Sequence, residues 1–126
     1  MTEAIFWILT ALAGGRQHGY AILRDVEQLA AGSQTIRVTT LYASLERLER
    51  DGKVRHAGDE TVDGRARRYY ELTDEGRQSL SAEAERLAAR LRAAESRLGG
   101  RRPLSVKPAS AARVSKGQTD LPGLAT

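Results

Sequence analysis

The chain has 126 residues, 40% of them hydrophobic, which fits one small domain with an appendage and not a large enzyme core. It holds no cysteine, so disulfides, thiolate zinc sites, a cysteine nucleophile and thiol-based redox sensing are excluded. The net charge of +4 is unevenly spread: residues 1–98 carry fifteen Arg and Lys against fifteen Asp and Glu, whereas Arg101, Arg102, Lys107, Arg113 and Lys116 face only Asp120 beyond them.

The first predicted element is a helix that starts at Thr2, a suitable N-cap, with Glu3 at the positive end of the helix dipole, and stops at Gly14-Gly15. Ile5, Phe6, Ile8, Leu9 and Leu12 cover more than one face, more than packing on one neighbour requires. Trp7 lies off the main stripe, where an indole calls for cover by a partner subunit, a ligand or the subunit's own core. The apolar run over 4–13 is shorter than the ~20 residues of a bilayer span. Its acidic start does not suit a secretory signal, so no membrane partner is expected.

A second amphipathic helix is predicted over 20–31, with Ile22, Val26, Leu29 and Ala30 at helical spacing and Gly32 ending it. His18, next to Gly19 at its start, reads as a capping or packing residue. Neither His18 nor His56 joins a cluster at metal-ligand spacing, so no metal or cofactor is expected. No nucleophile, base and orienting group stand together either, which argues against an enzyme.

The third helix is predicted to begin with Thr39 or Thr40 as N-cap and to end at Asp51-Gly52. Leu41, Leu45 and Leu48 turn inward. The opposite face then presents Thr39, Ala43, Glu46, Arg47 and Arg50, with Thr40 and Tyr42 at its edges. Small residues let such a face approach base edges, and Arg47 is long enough to reach a guanine or a phosphate. Hydroxyls and amides at the helix start suit a phosphate oxygen.

A hairpin follows, with 53–57 pairing with 67–72 across a tip that contains Gly58, Asp59, Asp63 and Gly64. Alternation sends Tyr70 and Leu72 to the core and Arg67 and Tyr69 outward, with Arg65, Arg67 and Arg68 near the tip. A basic hairpin beside a reading helix suits a duplex backbone or minor groove. The fold class expected is mainly α with a small β-hairpin, a winged helix-turn-helix over 1–72.

From Thr73, an N-cap followed by Asp74 and Glu75, the pattern returns to a helix. Leu80, Ala84, Leu87, Leu91, Ala94 and Leu98 step by 4, 3, 4, 3 and 4 residues, a heptad seam that needs a partner. The region 73–98 is therefore expected to be a dimerisation helix, with Ile5 and Trp7 of the first helix joining the interface. Two-fold pairing would set two reading helices about one duplex turn apart, ~34–36 Å. Gly99-Gly100 marks a boundary, and the basic Pro-, Ala- and Ser-containing tail over 99–126 is expected to be disordered.

Three stretches taken together, HGYAIL at 18–23, TLYASLERLERDGKV at 40–54 and GRARRYYELTDEGR at 64–77, resemble the PadR-type transcriptional regulators, in the short form with one C-terminal helix. The resemblance covers about residues 1–98. It implies a cytoplasmic, nucleoid-associated homodimer that represses promoters on operator DNA, with the first and last helices building the dimer. Thr40 and Tyr42 match the family's TLY element, and Gly64, Arg65 and Arg67 to Tyr70 match its wing. The family commonly has Gly before TLY and Pro after it, where this chain has Thr39 and Ala43, so no operator sequence carries over. Some relatives bind flat aromatic effectors at the dimer centre. The last helix holds no aromatic residue, which leaves Phe6 and Trp7 as the candidates for such a site. The alternative function is a winged-helix protein-interaction module, since residues 1–98 are charge-balanced.

Overall fold

The computed structural model describes residues 1–99. In chain order the elements are α1 (Glu3–Ala13), β1 (Gln17–His18), α2 (Gly19–Leu29), α3 (Val38–Arg50), β2 (Val54–Val62), β3 (Arg65–Leu72) and α4 (Asp74–Arg97). The strands form one antiparallel sheet in the order β1-β3-β2. Two compact units divide the chain, Met1–Leu87 and the residues from Ala88 onward. The described part of the second comprises the last turns of α4 with Leu98 and Gly99. The expectation of disorder beyond Gly99 lies outside the described residues.

Helix starts follow the side-chain oxygens and nitrogens available to the first orphan N–H groups. The Thr2 hydroxyl accepts from the Ile5 amide at 3.2 Å, as its position in the sequence implied. His18 Nδ1 accepts from the Ala21 amide at 3.4 Å and caps α2. Thr73 caps α4 by accepting from the Gly76 amide at 3.0 Å, and its hydroxyl donates to the Gly52 carbonyl at 2.6 Å. One residue thereby ties the end of α3 to the start of α4.

α3 departs from expectation. Its N-cap is Arg37, without a side-chain cap hydrogen bond, and neither Thr39 nor Thr40 serves as one. Ile36 is buried in the core and anchors the incoming chain, and the Arg37 carbonyl accepts from the Leu41 amide at 2.9 Å. Burial of Ile36 thus sets the start earlier than the hydroxyls alone would, leaving both threonines exposed in the first turn.

The core lies between α1, α2, α3 and the inner face of the sheet. Ile8, Leu9, Leu12, Ile22, Leu41 and Leu45 are fully buried, with Val26, Leu48, Val54, Tyr70 and Leu72 around them. At about 1.5–3 kcal/mol for each large apolar side chain, the three α3 leucines fix which face of that helix remains outside. Tyr70 and Leu72 point inward, in keeping with the strand alternation.

The hairpin is longer than predicted. β2 runs on to Val62 and β3 starts at Arg65, so the turn is only Asp63-Gly64, both with positive φ (52° and 77°). That is the backbone a two-residue type I′ hairpin turn requires, and Asp-Gly is among its preferred pairs. The register shifts between His56 and Asp59, a bulge that accommodates Gly58 at φ 110°. The predicted tip residues Gly58 and Asp59 therefore belong to a bulged strand.

Candidate nucleic-acid interface

With Leu41, Leu45 and Leu48 locked into the core, α3 exposes Val38, Thr39, Thr40, Tyr42, Ala43, Glu46, Arg47 and Arg50. This is the face singled out from the sequence, extended by Val38. Arg47 lies 4.0 Å from Asp51, one turn on, with both side chains mostly in solvent. Such a pair is worth little and leaves Arg47 able to turn to another anion.

Beside this face stands the wing. Arg68 of β3 reaches Glu49 of α3 at 3.7 Å, and its guanidinium lies 5.8 Å from the centre of the Tyr70 ring. Burial, the largest effect, raises the Tyr70 pKa, while Arg68 opposes the rise. Tyr70 therefore stays a neutral core residue with its ring under a cation. Arg68 braces the wing against the helix, so part of its charge is already committed.

Tyr69, on the opposite face of β3, is committed further. Its hydroxyl donates to the Glu60 carboxylate at 2.6 Å, the Arg16 guanidinium lies 4.2 Å from its ring centre, and the His18 ring meets it edge-on at 5.4 Å. The bond to Glu60 raises the Tyr69 pKa. Arg16 also donates to the Ala57 carbonyl at 2.8 Å, at the bulge of β2. Tyr69 thus joins β1, β2 and β3 through its ring and hydroxyl and holds the wing in place.

Arg65, Ala66, Arg67 and Arg68 line a concavity of about 470 Å³ together with His18, Gly19, Tyr20 and Tyr42. A second recess, of about 460 Å³, lies between Tyr42, Ala43, Glu46 and Glu49 of α3 and Arg68 and Tyr70 of β3. The structure therefore brings Tyr42, Ala43, Arg65, Arg67 and Arg68 around two adjoining recesses. Arg47 and Thr39 lie on the same helix but line neither. Burial is the largest effect lowering the His18 pKa, and Arg67 and Arg24 add to it while Glu60 opposes them. Two arginines from different elements thus direct positive potential at this point.

Sequence reasoning missed Arg16, Tyr20 and Arg24. Arg16 acquires its role from β1, a two-residue strand with no periodicity to detect. Tyr20 and Arg24 were readable as an aromatic and a cation one turn apart, off the Ile22 and Val26 stripe; the Arg24 guanidinium lies 5.5 Å from the Tyr20 ring centre.

The residues predicted for subunit contact are placed as follows. Ile5, Trp7 and Leu80 are partly buried against the core. Ala84, Leu87, Leu91, Ala94 and Leu98 are exposed along α4 and just past its end. Phe6 and Trp7 meet edge-on at 5.3 Å, and Trp7 Nε1 is buried without a hydrogen-bond partner among the described residues.

The model of the PadR-like family of transcriptional regulators matches residues 8–82. An uncharacterised protein of Lysinibacillus sphaericus is 31% identical over 74 residues, 59% of this chain and 68% of that protein. A transcriptional regulator from Clostridium thermocellum superposes with a TM-score of 0.63 at 25% identity, over 73% of this chain and 89% of that one. Bacillus subtilis PadR, solved in complex with operator DNA, shares the fold, with a TM-score of 0.62 at 21% identity over 85% of this chain and 54% of that one. The family is one of regulators and not of enzymes. Its match runs from the middle of α1 through the wing into α4, and this chain belongs to the PadR-like family of transcriptional regulators.

Proposed function

We propose that the protein is a homodimeric repressor that binds a specific double-stranded operator in the cytoplasm, on the nucleoid. The observation that carries this reading is the exposed α3 face, whose Tyr42 and Ala43 adjoin the Arg65, Arg67 and Arg68 wing. A helix of this kind fits the ~12 Å major groove, with Thr39, Thr40 and Arg47 reaching bases or phosphates. The wing, carrying Tyr69 as a brace, tracks the adjacent backbone. Residues 1–72 form the DNA-binding module and 73–98 the dimerisation helix, whose Leu87, Leu91 and Leu98 are 36%, 47% and 56% exposed and await an apolar partner. The operator DNA bound by the fold relative from Bacillus subtilis supports duplex DNA as the partner.

Release is proposed to follow binding of a flat aromatic effector beside Phe6 and Trp7, where the indole N–H, without a partner among the described residues, offers a donor. Planar cationic drugs and phenolic acids are suitable probes. Binding should change Trp7 fluorescence and lower operator affinity together; if neither changes, the effector is removed from the reading.

Salt dependence tests the DNA reading. A dimer that contacts ~6–10 phosphates should lose ~10³–10⁵ in duplex affinity between about 50 and about 200 mM salt. Binding that is insensitive to salt, or directed at protein and not duplex, would instead assign the scaffold to protein interaction, the role that the balanced charge of residues 1–98 favours.

A further inference from the structure

The concavity beside Tyr42 does not end at the wing. His18, Tyr20 and Arg67 line it and also line a third recess, of about 500 Å³, which continues along α2 to Arg24 and Gln28. The two recesses share a ridge and form one track from the head of α3 across β3 and along the outer face of α2. Tyr20 is 62% exposed on this track. Arg24 and Arg67 form no ion pair with a carboxylate among the described residues. Asp25, the carboxylate lining this recess, is engaged by the Gln17 side-chain amide at 2.9 Å, and that amide also donates to the Ala11 carbonyl at 3.0 Å.

We propose that this recess along α2 is a seat for a backbone phosphate of the duplex, with Arg24 and Arg67 as its cations and the Tyr20 ring as the platform that holds Arg24 in place. The inference rests on the DNA-binding reading and extends the contact surface from α3 and the wing to α2. The Arg24 guanidinium, outside any ion pair among the described residues, presents several donors in one plane, the geometry a phosphate accepts, while Arg67 also interacts with the Tyr69 hydroxyl. Stacking on Tyr20 limits the rotamers of Arg24 and lowers the entropy lost on contact. Helix-turn-helix proteins set the helix before the reading helix across the backbone, where a cation on its outer face meets phosphate and not bases. Arg67 and Arg24 both act on His18 as positive charges, and Glu60, opposite Arg67 in the sheet, offsets part of their effect.

The test compares duplex affinity against salt for the full chain and for Arg24→Gln, Arg24→Glu and Arg24→Lys, with circular dichroism confirming an unchanged fold. Arg24→Gln should weaken operator and unrelated duplex by the same several-fold factor. The slope of log affinity against log salt should become shallower by about 0.9 for each protomer on the duplex. Arg24→Lys, which keeps a point charge, should retain the slope, and Arg24→Glu should bind more weakly than Arg24→Gln. An unchanged slope in Arg24→Glu would empty the seat, while Arg47→Ala and Arg65→Ala would still report on the docking of α3 and the wing. Weaker binding at unchanged slope would make Arg24 a packing residue and overturn the proposal. Inorganic phosphate that stabilises the parent against heat but not Arg24→Gln, with duplex binding equal in both, would give the seat to a free anion. Absence of salt-dependent duplex binding in the parent would remove the underlying reading together with the seat.

Discussion

The phenol of Tyr42, at the head of α3, fills the space in which a side chain at Gly19 would begin. A Cβ there would overlap the Tyr42 hydroxyl, and the ring carbon bearing it would lie only 2.8 Å away. Gly19 is buried and Tyr42 is 47% exposed, so the first residue of α2 supports a side chain that belongs to the binding surface. The HGY and TLY segments are thus two halves of one contact.

Gly19→Ala should therefore displace Tyr42. Because the clash falls on the free end of an exposed side chain, stability should drop by no more than ~1 kcal/mol, the low end of overpacking costs. Operator affinity should fall further than that. Tyr42→Ala in the same chain should remove the stability cost, and strict additivity in a double-mutant cycle would refute the contact.

Gly76→Ala should behave in the opposite way. Its Cβ would overlap the Lys53 backbone carbonyl, which cannot swing aside. A loss of ~1–3 kcal/mol is expected in urea melts. Thr73→Ala, which removes both the α4 cap and the bond to Gly52, should cost ~1–2 kcal/mol. A neutral Gly76→Ala would show that the α3 to β2 connection yields more easily than its packing implies.

His18 links acidity to the α2 cap. Its folded pKa lies below the ordinary 6.5, so the unfolded chain binds the proton more readily. Its contribution to stability is present above pH ~6.5 and is lost as pH falls through the folded value. Protonation also removes the Nδ1 acceptor used by Ala21. Arg67, Arg24 and Glu60 are the charges that face the ring. Urea midpoints measured from pH 7.5 to 5 should decline more steeply for the parent than for His18→Asn, which keeps a capping side chain that does not titrate. Parallel curves would remove His18 from the acid response.

The two arginines of the reading surface should separate by type of effect. Arg47→Ala is expected to alter sequence preference by ~1–3 kcal/mol through a base contact. Arg65→Ala should weaken all sequences alike. Competition binding over a randomised operator library distinguishes these outcomes, and unchanged binding in both variants would exclude α3 and the wing tip as the contact surface.

Leu87→Asp should yield monomers with much weaker operator binding, since it places a charge in the proposed seam. Sedimentation analysis gives the answer directly. A stable dimer after this change would remove the seam from the interface.

Periodicity carried much of this protein's architecture. The α3 leucines, the alternating Tyr70 and Leu72, the Asp63-Gly64 turn and the caps at Thr2 and Thr73 are local features, each set by a spacing or by one side chain near its partner in sequence. Thr39, Thr40, Ala43 and Arg47 were legible as a surface for the same reason, because the buried leucines leave only one other face. Long-range contacts decided the rest. β1 exists only because Gln17 and His18 pair with Tyr70 and Tyr69, and α3 starts at Val38 because distant core residues bury Ile36. Arg68 and Tyr69 looked alike in sequence as wing residues. Tertiary structure gave one to Glu49 and the other to Glu60, Arg16 and His18, and it brought Tyr20 and Arg24 of α2 to the wing. Chain periodicity determines which face of an element is buried, but the partners of an exposed polar group depend on elements that only folding brings within hydrogen-bond reach.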